Sequence, residues 1–140
     1  MPLLQDYHTA LFGFFVIVLT LIVQTMVAAF SKASMPGAVP GKIDASLSHE
    51  SFVFRANRTV ANSLENVPAI LGSFILAVLS GADAQWTAIF VWLYALARLL
   101  HMVLYYVIAT EKNPSPRSYF YLLGVIATLG LLITGLLALL

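Results

Sequence analysis

The chain has 140 residues, of which 61% are hydrophobic and 9% charged, with a formal net charge of +1. Soluble domains carry about 25% charged residues, so this composition excludes a water-exposed globule, and a charge so near zero leaves no electrostatic footprint for nucleic acid. Cysteine is absent, which excludes a disulfide framework and a protein thiol as nucleophile; a thiol that reacts here must arrive with a substrate.

A membrane span needs about 20 mostly apolar residues. Residues 1–9 have no basic residue, and the apolar run behind them is too long for a signal segment and lacks a small-x-small cleavage site. The run at 11–30 is uncharged and reads as a retained first span. Residues 31–51 form a loop, broken at Pro36-Gly37 and Pro40-Gly41 and carrying Lys32, Lys42, Asp44 and Glu50. A second span covers about 52–79 and closes at the turn Ser80-Gly81-Ala82-Asp83. Trp86 opens the third, about 86–110, an indole at headgroup level being common there. The turn Glu111-Lys112-Asn113-Pro114-Ser115-Pro116 leads to an uncharged fourth span, about 119–140. The expected fold is all-α: a single integral membrane domain over 1–140, built as a four-helix transmembrane bundle.

Lys32 and Lys42 follow the first span, and Lys112 and Arg117 follow the third. The N-terminal tail and the turn at 81–85 have no Lys or Arg. The excess of basic residues in cytoplasmic loops then places both termini on the non-cytoplasmic side.

The second and third spans carry groups that lipid rejects: Arg55, Arg58, Asn62, Glu65 and Asn66 in one, Arg98 and His101 in the other. An ionised group at the bilayer centre costs about 2.5–3.5 kcal/mol on insertion scales, so these must face protein or a wet cavity. Arg55, Arg58, Asn62 and Glu65 step by three, four and three along one helical stripe, and Tyr94, Arg98, His101 and Tyr105 by four, three and four along another. From Arg58 to Glu65 the axis advances about 10 Å. The stripes can meet, with Glu65 neutralising Arg58 or Arg98. They serve either a functional site or ion pairs that only hold helices together. Arg55, near the cytoplasmic end, is also placed to snorkel to lipid phosphate. Pro68 frees the carbonyl of Leu64 and can kink the helix beside its stripe, and Asn66, just off the stripe, is placed to bond a neighbouring chain.

His8, His49 and His101 share no ligand spacing, so no metal is expected. The sequon Asn57-Arg58-Thr59 lies within a helix on the predicted cytoplasmic side and is set aside. Gly124, Ala127 and Gly130 recur at intervals of three on the fourth span, a close-packing face within the bundle or between subunits.

Two segments resemble the MAPEG family, the membrane-associated proteins in eicosanoid and glutathione metabolism. Arg58, Asn62 and Glu65, with Pro68 shortly after, resemble its helix-two signature Arg-x3-Asn-x2-Glu. Arg98, His101 and Tyr105, followed by Pro116-Arg117-Ser118 and Tyr121, are similar to its helix-three and helix-four segments. The resemblance runs in register over roughly residues 50–125. It implies a homotrimer holding glutathione between subunits near the cytoplasmic face, acting as a transferase, peroxidase or isomerase on lipophilic small molecules. By position it implies that Asn62, Glu65, Arg98, His101 and Tyr105 contact glutathione. Arg58 would shape the site floor, Tyr121 would pack beside the peptide, and Arg117 and Ser118 would lie near the sulfur as the catalytic pair. The chemistry suits those roles. A guanidinium at a positive helix end lowers the pKa of a thiol, Arg forks fit carboxylates, and a Glu fits an ammonium. The chain departs from catalytic members in having no Arg within 23–28, Ala61 where a second helix-two Arg stands, and a longer turn before Arg117. The missing helix-one Arg favours the alternative, a non-catalytic lipid-binding or scaffolding member; Arg117 and Ser118 favour the glutathione-dependent enzyme.

Overall fold

The computed structural model describes residues 2–140. Its helices are α1 (Pro2–Asp6), α2 (His8–Ala33), α3 (Phe52–Leu79), α4 (Ala84–Val107) and α5 (Pro116–Leu137). The last four are each long and apolar enough to cross a membrane. The helix ends differ from the hydropathy runs because local chemistry sets them. α2 continues past the uncharged run 11–30 and takes in Lys32, whose charge favours a helix C-terminus. α3 stops in a Schellman arrangement: Gly81 takes φ 68°, its N–H donates to the Val78 carbonyl at 3.3 Å, and the Ala82 N–H donates to Ala77 at 2.9 Å. The Asp83 side chain caps α4 by accepting from the Trp86 N–H at 2.9 Å. The Tyr7 hydroxyl donates to the Ala82 carbonyl, tying the start of the chain to that turn.

α3 and α4 form the central diagonal of the bundle, with α2 and α5 at opposite corners, each packed against both. One half of the interior is apolar, built from Ala10, Ile17, Ile70, Phe74, Val91, Ala127 and Leu131. Phe14 stacks on Phe74 there, with ring centroids 4.7 Å apart. The other half, toward the end where α4 hands over to α5, is polar. Pro68 does not interrupt α3, which runs through it as one helix. Asn66 donates to the Asn62 carbonyl of its own helix at 2.7 Å, so its side-chain nitrogen is used locally rather than across helices.

The small-residue face of α5 lies inside this subunit. Gly124 and Ala127 are buried, with the Arg98 and Tyr94 side chains passing beside Gly124. A Cβ on Gly130 would collide with the Phe90 ring, which stacks on Trp86 at 5.9 Å. Gly130→Ala is therefore expected to cost about 1–3 kcal/mol, the scale of overpacking, seen as a lower melting temperature in detergent. Gly72→Ala, where nothing lies within 4 Å, should be neutral or slightly stabilising. Equal melting temperatures for Gly130→Ala and wild type would mean that the Phe90 ring moves aside at no cost.

Candidate functional site between α3, α4 and the start of α5

Arg98 is the centre of the polar half. It is 4% exposed, and one guanidinium nitrogen donates to Asn62 Oδ1 at 2.7 Å and Ser63 Oγ at 3.0 Å. Both acceptors are neutral. The salt bridge expected from Glu65 is not formed: the one ion pair among the described residues joins His49 and Glu111. The reason lies in the turn of α3. Asn62 and Ser63 face α4, whereas Arg58 and Glu65, two turns apart on the flank of α3 away from Ser63, are exposed. What looked like a single stripe on paper is thus split between an inward and an outward face.

His101 and Tyr105 follow Arg98 along α4, both buried, with ring centroids 5.5 Å apart. The Arg117 guanidinium carbon lies 4.1 Å from the centroid of the Tyr105 ring, a cation–π contact, and its Nη2 donates to the Thr110 carbonyl at 3.0 Å. Arg117 stands one residue inside α5, after Pro116. Ser118 closes that helix start: its Oγ accepts from the Ser115 N–H at 3.1 Å and lies 3.2 Å from Ser115 Oγ. Its placement thus has a capping reason independent of any ligand. Tyr121 is one turn further on and exposed.

Arg98, His101, Tyr105 and Arg117 therefore form one continuous row, with Asn62 beside it and Arg58, Glu65 and Tyr121 exposed around it. Several buried polar atoms in the row lack partners among the described residues: the donors Arg98 Nε and Arg117 Nη1, and His101 Nδ1. Buried donors without acceptors are costly, and a row of them with two guanidinium groups suits an anionic ligand with more than one carboxylate. On the α2 side, Gln24 is 1% exposed, and both its amide atoms lack partners. It borders a cavity of about 10 Å³ with Ser63, Tyr94 and Arg98, a space the size of one water and not of a peptide.

Arg55 is held by backbone carbonyls of its own subunit. Its Nη1 donates to the carbonyls of His49 at 2.6 Å and Glu50 at 2.9 Å, and its Nη2 to that of Tyr106 at 3.3 Å. It clamps the end of the 34–51 loop onto the last turn of α4. That clamp brings in two residues that helical spacing did not single out. His49 Nδ1 lies 3.0 Å from Glu111 Oε1, and His49 Nε2 lies 3.1 Å from the Tyr105 hydroxyl. The ring hydrogen bond from His49 holds the Glu111 carboxyl below the usual carboxylate range. Both residues sit in loops 62 positions apart, so no periodicity links them; their chemistry, a carboxylate and an imidazole flanking the two basic loops, was the available signal.

A family model described as the MAPEG family matches residues 9–137. No curated protein matches the chain, and no solved structure does.

Proposed function

Because this chain belongs to the MAPEG family, we propose that it is a multi-pass membrane enzyme that uses glutathione as thiol cosubstrate against lipophilic electrophiles, as a transferase or peroxidase. Membership supports a glutathione-related transferase or isomerase type of function. The observation that carries the finer reading is the buried Arg98, held only by neutral acceptors, in one row with His101, Tyr105 and Arg117.

Glutathione supplies the nucleophilic sulfur. Arg98, with Asn62 beside it, binds a carboxylate of the tripeptide through charge-assisted hydrogen bonds. His101 and Tyr105 contact the peptide along α4, Tyr121 packs against it, Arg58 shapes the floor, and Glu65 takes its ammonium. Arg117, at the positive end of α5, stabilises the developing thiolate, and Ser118 adds one hydrogen bond. A homotrimer accounts for the outward face of α3. Arg58 and Glu65 are exposed in one subunit, and neighbouring subunits would remove them from lipid, which resists charged groups by about 2.5–3.5 kcal/mol each. The basic residues Lys32, Lys42, Lys112 and Arg117 support a cytoplasmic site with both termini on the opposite side.

The decisive experiment adds glutathione to purified protein and records the ultraviolet thiolate band, with turnover of an aryl halide and a lipid hydroperoxide. A band and turnover are expected. A specific observation favours the lipid-binding alternative: the stretch 23–28 of α2, with Gln24, Thr25 and Met26, has no cation. Binding of a fatty-acid probe with no thiolate band and no turnover would establish that alternative. Separately, native mass spectrometry in mild detergents should show a trimer, and a C-terminal reporter active only in the cytoplasm should stay silent. Monomers in every detergent would refute the assembly, and an active reporter the orientation.

A further inference from the structure

The Glu111–His49–Tyr105 chain is not accounted for by the roles above. Three elements bring it together. The 34–51 loop supplies His49, pinned by the Arg55 clamp on its carbonyl. The connection between α4 and α5 supplies Glu111, and α4 supplies Tyr105. Glu111 is kept in its ionised form by its bonds to His49, so it can only accept. It takes the ring N–H from Nδ1 at 3.0 Å and the backbone N–H of His49 at 3.4 Å. In the neutral ring the hydrogen therefore sits on Nδ1, and Nε2 carries the lone pair. Nε2 faces the Tyr105 hydroxyl at 3.1 Å, so the phenol donates to the imidazole. The phenolic oxygen is left with lone pairs free for a further donor. The other charged or titratable groups around this chain are Arg55, on the His49 carbonyl, Arg117, over the Tyr105 ring, and His101, whose ring lies 5.5 Å from that of Tyr105. Arg117 is the cation on the phenol side, and Glu111 is the carboxylate hydrogen-bonded to the imidazole.

We propose that Glu111, His49 and Tyr105 form a proton relay that takes up the proton of the thiol bound at this site, with His49 as the acceptor and Glu111 as its orienting carboxylate. The inference rests on the glutathione reading given above. In the step, the S–H bond breaks and its electron pair stays on sulfur. The proton goes to the Tyr105 oxygen as the phenolic proton moves to His49 Nε2. The products are a thiolate beside Arg117 and an imidazolium held by Glu111, with net charge unchanged. Tyr105 is the group that touches the ligand. His49 acts through it, and Glu111 acts through His49 by holding the tautomer and balancing the imidazolium. Arg117 and the relay have separate tasks: one stabilises the anion, the other receives the proton.

The test uses the full-length protein in detergent and the variants His49→Gln and Glu111→Gln, both in exposed or half-exposed loop positions, with melting temperatures measured first. Glutathione is titrated calorimetrically in two buffers of different ionisation enthalpy, which counts protons released, and the thiolate band is read on the same samples. In wild type the thiolate should form with almost no proton released, because His49 keeps it. In His49→Gln the band should fall about 10-fold or more, on the scale of losing a positioned base, or an equal band should appear with a proton released to buffer. Glutathione affinity should change less than about twofold, since Arg98 still binds its carboxylate. Without ligand, nitrogen NMR of labelled histidine should show Nε2 unprotonated in wild type and a mixed tautomer in Glu111→Gln. A wild-type band with proton count and amplitude unchanged in both variants would overturn the relay alone. Wild-type protein that forms no thiolate at all would overturn the glutathione reading and the relay with it.

Discussion

Replacing Arg117 by alanine is expected to lower turnover with an aryl halide or lipid hydroperoxide by about 10²-fold or more, the scale of losing a preorganised charge-stabilising group. Glutathione affinity should fall far less. The reason is position. Arg117 lies in the first turn of α5, where a cation opposes the helix dipole and is unfavourable by about 0.3–1 kcal/mol. A residue that breaks a local rule in this way is retained for something other than stability. Its side chain is held by the Thr110 carbonyl and the Tyr105 ring, with Nη1 left over among the described residues. Removing it should leave the melting temperature nearly unchanged, while the anion loses its cation. Ser118→Ala should cut turnover less but lower stability, because the Ser118 hydroxyl also caps α5. Equal turnover in wild type and Arg117→Ala, in a preparation of proven activity, would remove Arg117 from the chemistry and leave it as an anchor for the 108–115 connection.

Arg98→Leu should separate binding from folding. Arg98 is a buried guanidinium whose bonds go to the neutral Asn62 and Ser63, so no buried carboxylate is stranded when it is removed. Replacing buried ionic groups by apolar ones of similar size is often neutral or stabilising by about 1–4 kcal/mol. The ligand-free variant should therefore melt at or above the wild-type temperature. Glutathione should raise the melting temperature of wild type, because it binds only the folded state, and fail to do so for Arg98→Leu. Losing one or two hydrogen bonds to a charged group, about 1.5–3 kcal/mol each, corresponds to an affinity loss of about 10- to 150-fold or more. A variant that melts well below wild type yet binds glutathione equally would show that Arg98 braces α3 against α4 and takes no part in recognition. Glu65→Ala, by contrast, should not destabilise an isolated subunit, since Glu65 is exposed there and pairs with neither Arg58 nor Arg98. Any effect should appear in assembly or in glutathione binding.

The four spans and the row Arg98, His101, Tyr105 were legible in the sequence because each depends on one helix at a time, and the family was legible in two such segments taken in order. Hydrophobic length sets a span, and spacing by three and four sets which residues share a face of α4. The packing face at Gly124, Ala127 and Gly130 was legible for the same reason, although only the bundle shows that Phe90 and Arg98 of the same subunit fill it.

What tertiary structure alone decided is how the faces meet. A spacing of three, four and three drifts around a helix, so Arg55, Arg58, Asn62 and Glu65 need not all face the same neighbour. With α3 in place, Asn62 receives Arg98 and Arg55 turns back to cap loop carbonyls, while Arg58 and Glu65 look outward. Gln24 lies in the uncharged run 11–30, and its burial beside Arg98 appears only once α2 is docked on α3 and α4. The meeting of His49 with Glu111 and Tyr105 was beyond any periodicity, because two irregular loops must fold against one helix end before the three groups are within bonding distance. The sequence by itself determined which residues lipid would reject and along which helices they lie; the packing of helices and loops determined which partner each of them finds, because a hydrogen bond needs two groups within about 3 Å and one-dimensional spacing constrains only those on the same helix.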